Sequence, residues 1–284
     1  MKLKDIHIRD PYILTENGEY YLYGSRGYET WGKCTGLDVY KSCDLEDWSE
    51  PVEAFTKPEN FWSDTNYWAP EVHKYNGSYY MLVSFVSNER LRGTQILKAD
   101  CPVGPFLPIS DGPVTPESLQ CLDGTLYIEN GTPYMVFCHE WVQVKNGEVC
   151  AVELSPDLKT SVGEPFLLFK ASEPSWVSPI REKDEFVTDG PFMHKTANGR
   201  LIMIWSSFSD GEYCEALAYS DNGSIKGKWK HDDRLLFKKD GGHGMIFKRQ
   251  DGRLAFICHR PNNSPNERPH IYDLEEKDDT LFVK

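Results

Sequence analysis

One phrase recurs five times in this 284-residue chain, and it constrains the fold more than any other feature of the sequence. A polar turn leads into an apolar strand, an Asn-Gly or Asp-Gly pair follows, and a second apolar strand returns. The first copy is Asp10-Pro11-Tyr12-Ile13-Leu14, then Asn17-Gly18, then Tyr20-Tyr21-Leu22-Tyr23. The second joins Ala69-Pro70-Glu71-Val72 through Asn76-Gly77 to Tyr79-Tyr80-Met81-Leu82-Val83. The third runs Asp123-Gly124-Thr125-Leu126-Tyr127, Asn130-Gly131, Tyr134-Met135-Val136-Phe137. Asp189-Gly190-Pro191-Phe192-Met193, Asn198-Gly199 and Leu201-Ile202-Met203-Ile204-Trp205 make the fourth. The fifth is His243-Gly244-Met245-Ile246-Phe247, Asp251-Gly252, Leu254-Ala255-Phe256-Ile257.

Asn-Gly and Asp-Gly between apolar runs mark tight hairpins, because a type I′ turn needs positive φ at both central residues. Five hairpins at intervals of roughly 50 to 70 residues have the period of β-propeller blades. Stretches such as Leu37-Asp38-Val39-Tyr40-Lys41 and Leu217-Ala218-Tyr219-Ser220 supply outer strands. The sequence therefore predicts an all-β, five-bladed propeller, with residues 1–284 forming one domain.

The net charge of -13 disfavours phosphate backbones and anionic membranes as partners, and a neutral ligand such as a sugar fits better. The first residues hold no apolar run long enough for a signal peptide or a membrane span. Eight cysteines lack any Cys-x-x-Cys spacing and several lie in apolar runs, which reads as reduced buried thiols in a cytoplasmic protein. No Gly-x-Ser-x-Gly elbow, phosphate loop, dinucleotide turn or His-x-x-x-His pair is present. Oligomeric state has no signature in the sequence.

The first strand of each propeller blade lines the central axis, so the residues opening the five repeats converge at one mouth. Asp10, Glu71, Asp123, Asp189 and His243 are expected there in equivalent positions. Asp is also an ordinary turn residue, so no one of them is diagnostic alone. Clustered carboxylates push one another's pKa values apart, which suits glycoside hydrolysis by one protonated and one ionised carboxyl. Glu140, leaving the third hairpin in Cys138-His139-Glu140-Trp141, also reaches towards the mouth.

At these residues the chain resembles glycoside hydrolase family 43. Arg9-Asp10-Pro11, Trp68-Ala69-Pro70-Glu71-Val72, Asp123-Gly124, Asp189-Gly190-Pro191-Phe192 and Gly242-His243-Gly244 carry the resemblance, in order and at blade spacing. It implies a five-bladed propeller that inverts the anomeric centre of α-L-arabinofuranosides or β-D-xylosides in plant-type oligosaccharides. Asp10 matches the family's general base and Asp123 the carboxylate that tunes and orients the acid. The family's acid is usually Glu in Glu-Gly-Pro, whereas this chain has Asp189-Gly190-Pro191, one methylene shorter.

Three readings follow from that departure: Asp189 is the acid, Glu140 has taken the role, or the protein binds sugar and barely cuts. No cofactor is required on this resemblance, although His243 matches a central histidine near which many members hold calcium. A lone imidazole is a poor calcium signature, since calcium prefers oxygen. Arg260 matches an arginine that reaches substrate, and Trp31, Trp68 and Trp141 are candidate stacking rings, with Glu71 a further substrate contact. The alternatives are a non-catalytic carbohydrate-binding propeller and a propeller glycoside phosphorylase, which would need a basic cluster for phosphate.

Overall fold

The computed structural model describes residues 1–284 as five antiparallel sheets, each made of consecutive strands. The first blade is β1 (Ile8–Glu16), β2 (Glu19–Arg26), β3 (Gly36–Ser42) and β4 (Val52–Thr56). β5 (Thr65–Tyr75), β6 (Ser78–Val86), β7 (Gly93–Ala99) and β8 (Leu107–Pro108) form the second. The third holds β9 (Cys121–Glu129), β10 (Thr132–His139), β11 (Glu148–Leu154) and β12 (Ser161–Lys170). In the fourth, β13 (Asp189–Lys195), β14 (Leu201–Ser209), β15 (Glu212–Ser220) and β16 (Trp229–His231) are joined by β17 (Phe237–Lys238), paired to β15. β18 (Gly242–Lys248), β19 (Leu254–Arg260), β20 (Arg268–Lys277) and β21 (Thr280–Val283) complete the ring. The five-bladed propeller expected from the repeats is the observed fold, and it is a single domain. One α-helical turn, α1 (Trp141–Val144), and one 3₁₀ turn at Leu3–Asp5 are the only helical segments.

Two-residue turns with both residues at positive φ close the first three hairpins, at Asn17-Gly18, Asn76-Gly77 and Asn130-Gly131. The last two hairpins differ from the expected type I′ geometry. Five residues separate β13 from β14 and β18 from β19, and only Gly199 and Gly252 take positive φ. The middle strands are almost wholly buried, as in β14, where Leu201 through Trp205 are inaccessible. The apolar runs of the inner strands thus pack blade against blade, and the largest cluster links blades one, two and five.

Each inner strand breaks its register at the same point. Pairing is interrupted between Arg9 and Tyr12, Trp68 and Glu71, Leu122 and Thr125, Asp189 and Phe192, and Gly242 and Met245. At each break one residue is left-handed: Asp10 (φ 53°), Ala69 (49°), Asp123 (56°), Gly190 (51°) and His243 (49°). Proline or glycine follows every one of them, and proline suits a bulge because its missing N–H is not needed there. This register corrects the expected equivalence of the five opening residues. Asp189 stands one residue before the left-handed position, level with Arg9. Glu71 stands two after it, level with Tyr12, because the bulge shifts the alternation of every residue beyond it. Gly190 has a steric reason as well: a Cβ there would lie 2.7 Å from the His243 ring.

Candidate active site

A cavity of about 400 Å³ opens where the bulges meet, lined by Asp10, Asp123, Asp189, Glu140 and His243, with Trp31, Trp68 and Trp141 among its walls. A larger polar hollow of about 670 Å³ lies at the other end of the fourth and fifth blades, around the Asn198-Gly199 turn, and contains none of these groups.

Asp10 is buried and crowded by donors. Ser25 Oγ donates to Oδ2 at 2.6 Å, Arg9 Nε to Oδ1 at 3.2 Å, and His243 Nδ1 stands 3.2 Å from Oδ1. Burial alone would push this carboxyl up, but His243, Arg9 and the serine hydroxyl outweigh it and hold Asp10 well below the usual carboxylate range. Arg9 is itself fixed by the buried Glu267 (3.3 Å) and by Asn262 (3.3 Å). His259 is inaccessible, and burial lowers it to about 3, so its ring is neutral. Its Nδ1 accepts the Asp10 amide at 3.2 Å, which leaves the ring proton on Nε2, facing Asn262 Oδ1 at 3.4 Å.

Asp189 has the opposite environment. Burial, then the charge of Asp123, raises it to about 7, with Tyr213 OH donating to Oδ2 at 2.9 Å. Asp123 is raised as well, by burial and then by Asp10, and its Oδ2 accepts the Gly190 amide at 3.0 Å. The two carboxyls titrate as a pair that holds a proton near neutrality. Glu140 is also raised by burial, against the pull of Arg92. It precedes α1, where His139 bridges Glu148 Oε2 (3.0 Å) and Gln143 Oε1 (2.8 Å) and so anchors the turn.

The aromatic walls are anchored too. Trp31 is 61% exposed, yet its Nε1 donates to Ser264 Oγ at 3.1 Å and its ring stands edge-on to Trp68, centroids 4.9 Å apart. The guanidinium of Arg92 lies 3.5 Å from the Trp68 ring centre, and that of Arg181 lies 4.7 Å from Trp141. Glu71 and Arg260 do not line the cavity. The bulge turns Glu71 onto His73 Nε2, 2.9 Å away, and Arg260 ends β19 before the turn at Pro261. Arg9, Ser25, Arg92, Tyr213 and His259 shape the site without having been singled out from sequence. Ser25, Tyr213 and His259 come from second and third strands, and Arg92 from the loop that leads into β7; the only hint in the chain was that Arg9 adjoins Asp10.

The chain matches the family described as glycosyl hydrolases family 43 over residues 5–280. It belongs to that family. It is similar over 98% of its length to 98% of an endo-arabinase from Bacteroides thetaiotaomicron, at 40% identity and a TM-score of 0.91. An extracellular endo-α-(1→5)-L-arabinanase of Bacillus subtilis is 34% identical over 28% of the chain, and the match covers 27% of that protein. An α-L-arabinofuranosidase of Humicola insolens is 24% identical over 75% of the chain. The chain spans 48% of that second protein, so it matches about half or less of either curated relative.

His243 Nδ1 faces Asp10 Oδ1 at 3.2 Å and Asp123 Oδ2 at 3.8 Å. No group of three or more His, Cys, Asp or Glu side chains is arranged to hold a metal ion. The donor set does not fit the six to eight oxygens that calcium takes.

Proposed function

We propose that this chain is an inverting glycoside hydrolase acting on α-L-arabinofuranosidic bonds of arabinan-type oligosaccharides. One observation carries the reading: a single cavity holds Asp10, kept ionised by Arg9 and His243, and Asp189, kept protonated by burial and Asp123. Carboxyls pushed in opposite directions are what acid and base assignments require. Asp10 takes a proton from water while the water oxygen bonds to the anomeric carbon. The bond from that carbon to the leaving oxygen breaks, and Asp189 gives the oxygen its proton. Asp123 orients Asp189 through the Gly190 amide, and Trp31, Trp68 and Trp141 offer flat apolar faces to the sugar. The arabinan preference rests on the names of the Bacteroides, Bacillus and Humicola relatives, with β-D-xylosides the second substrate class.

Glu140 supports a second reading, in which it is the acid, because burial raises it in the same cavity. A phosphorylase is disfavoured by the lining. Its two guanidinium groups are Arg9, already held by Asp10 and Glu267, and Arg181, which lies on Trp141. The test is hydrolysis of linear arabino-oligosaccharides and xylo-oligosaccharides beside their 4-nitrophenyl glycosides, with the product anomer followed by NMR. Turnover of the arabino series with inversion is expected. Binding without turnover of either series would reduce the protein to a carbohydrate-binding propeller.

A further inference from the structure

Four of the five seams between blades carry the same hydrogen bond. The left-handed residue of one blade donates its amide to a side chain near the end of the preceding blade's second strand. Ala69 donates to Ser25 Oγ at 2.8 Å, Asp123 to Ser84 Oγ at 2.9 Å, His243 to Ser206 Oγ at 2.7 Å, and Asp10 to His259 Nδ1 at 3.2 Å. The acceptors are equivalent by register, facing Arg9, Trp68, Asp189 and Gly242.

In the third blade that place belongs to Cys138, opposite Leu122 and inaccessible to solvent. A thiol is a weak acceptor. The fourth blade's amide, from Gly190, goes instead to Asp123 Oδ2 at 3.0 Å. The first seam shows what a hydroxyl does at the same point. Ser25 Oγ accepts the Ala69 amide and donates to Asp10 Oδ2 at 2.6 Å, and so stands between the carboxylate and the next blade. With sulfur at 138, nothing stands between Asp123 and the peptide that joins Asp189 to Gly190.

We infer that Cys138 is a positioning residue: by withholding an acceptor from the third seam, it ties the Asp123 carboxylate directly to the backbone that carries Asp189. This rests on the hydrolase reading above. The bond spans the seam between the two carboxyls, so it fixes their separation where the shorter Asp189 side chain leaves least slack. Displacements of this kind matter to proton transfer in a way they do not matter to sugar binding.

Cys138→Ser restores the hydroxyl relay and is the test, with Cys138→Ala as its partner, since alanine supplies no acceptor. For each protein, kcat/KM is measured on an arabino-oligosaccharide, whose leaving group needs the acid, and on a nitrophenyl arabinoside, which needs it little. The ratio of the two is expected to fall roughly tenfold in Cys138→Ser, and to stay within about twofold of the parent in Cys138→Ala. The Gly190 amide proton, followed by NMR, should shift in the serine variant alone as its carboxyl acceptor is replaced by a hydroxyl. An unchanged ratio in Cys138→Ser, or an equal fall in both variants, overturns the inference. If the parent cleaves no sugar, the hydrolase reading fails by itself, and an unmoved Gly190 signal would still refute the seam exchange.

Discussion

The first and fourth blades open on the same backbone and set their carboxyls in opposite surroundings. At matching register positions the first blade has Arg9 followed by the left-handed Asp10, and the fourth has Asp189 followed by the left-handed Gly190. Arg9 lends Asp10 a cation, and His243 lends it a second ring nitrogen at 3.2 Å. Asp189 has no cation bonded to it; its neighbours are the Tyr213 hydroxyl and the Asp123 carboxyl. One carboxyl is therefore driven down and the other up to about 7 by what the same scaffold sets beside them. The difference teaches that the propeller supplies position, while the roles are written by one-residue offsets at the bulge.

The largest effect expected from breaking this asymmetry is on Asp10. Asp10→Asn removes the only carboxyl of the cavity that is held ionised far into acid, and no group there can replace it as base. Hydrolysis of both oligosaccharide and nitrophenyl arabinoside should fall by roughly a thousandfold or more, read as kcat/KM, with sugar affinity retained. Retained turnover at a tenth of the parent rate would remove Asp10 from the chemistry.

Asp189→Asn should separate the two substrates instead. Loss of the acid is expected to cost the oligosaccharide about a hundredfold or more, and the nitrophenyl glycoside far less. Glu140→Gln under the same assay decides between the two candidate acids, because only the true one produces that split. The pH profile sharpens the point. The Asp189–Asp123 pair is raised, so the protonated acid is present below about pH 7 and is lost as pH rises through it. The alkaline limb of kcat/KM should therefore fall near pH 7, while Asp10, held low, leaves activity high well into the acid range. A limb that survives in Asp189→Asn would belong to Glu140.

Much of this was readable in the chain. Five Asn-Gly or Asp-Gly pairs announced five blades, and Asp10, Asp123, Asp189 and Glu140 do share one cavity. The bulge register was not read, although its mark is there in Asp10-Pro11, Ala69-Pro70, Asp123-Gly124, Gly190-Pro191 and His243-Gly244. Aligning acids with acids put Glu71 and Asp189 level with Asp10, whereas aligning the residue before Pro or Gly puts Ala69 and Gly190 there. Glu71 stands beyond the bulge, where regular pairing resumes opposite Leu82, and there its carboxylate meets His73 instead of the cavity. Arg92, Tyr213 and His259 were invisible for another reason. Tyr213 and His259 reach the site from third and second strands, across pairings that no local pattern encodes, and Arg92 reaches it from the loop before β7.

The smallest expected effect concerns a second carboxyl of the fourth blade. Glu215, on β15, is fully buried, accepts the Ser206 hydroxyl and the Gly244 amide at 2.9 Å each on Oε2, and leaves Oε1 without a partner. No cation offsets its burial, which raises it from 4.5 to about 8. The unfolded chain therefore releases this proton near pH 4.5 while the folded protein keeps it, so the fold loses stability as pH climbs from about 4.5 to about 8. Glu215→Gln keeps an oxygen for Ser206 and Gly244 and removes the titration. Its urea midpoint should match the parent's near pH 4.5 and exceed it increasingly towards pH 8. Parallel midpoints across that range would mean that Glu215 is ionised in the folded protein. The fourth blade would then hold a buried carboxylate without a cation, and the contrast with the first blade would rest on Asp189 alone.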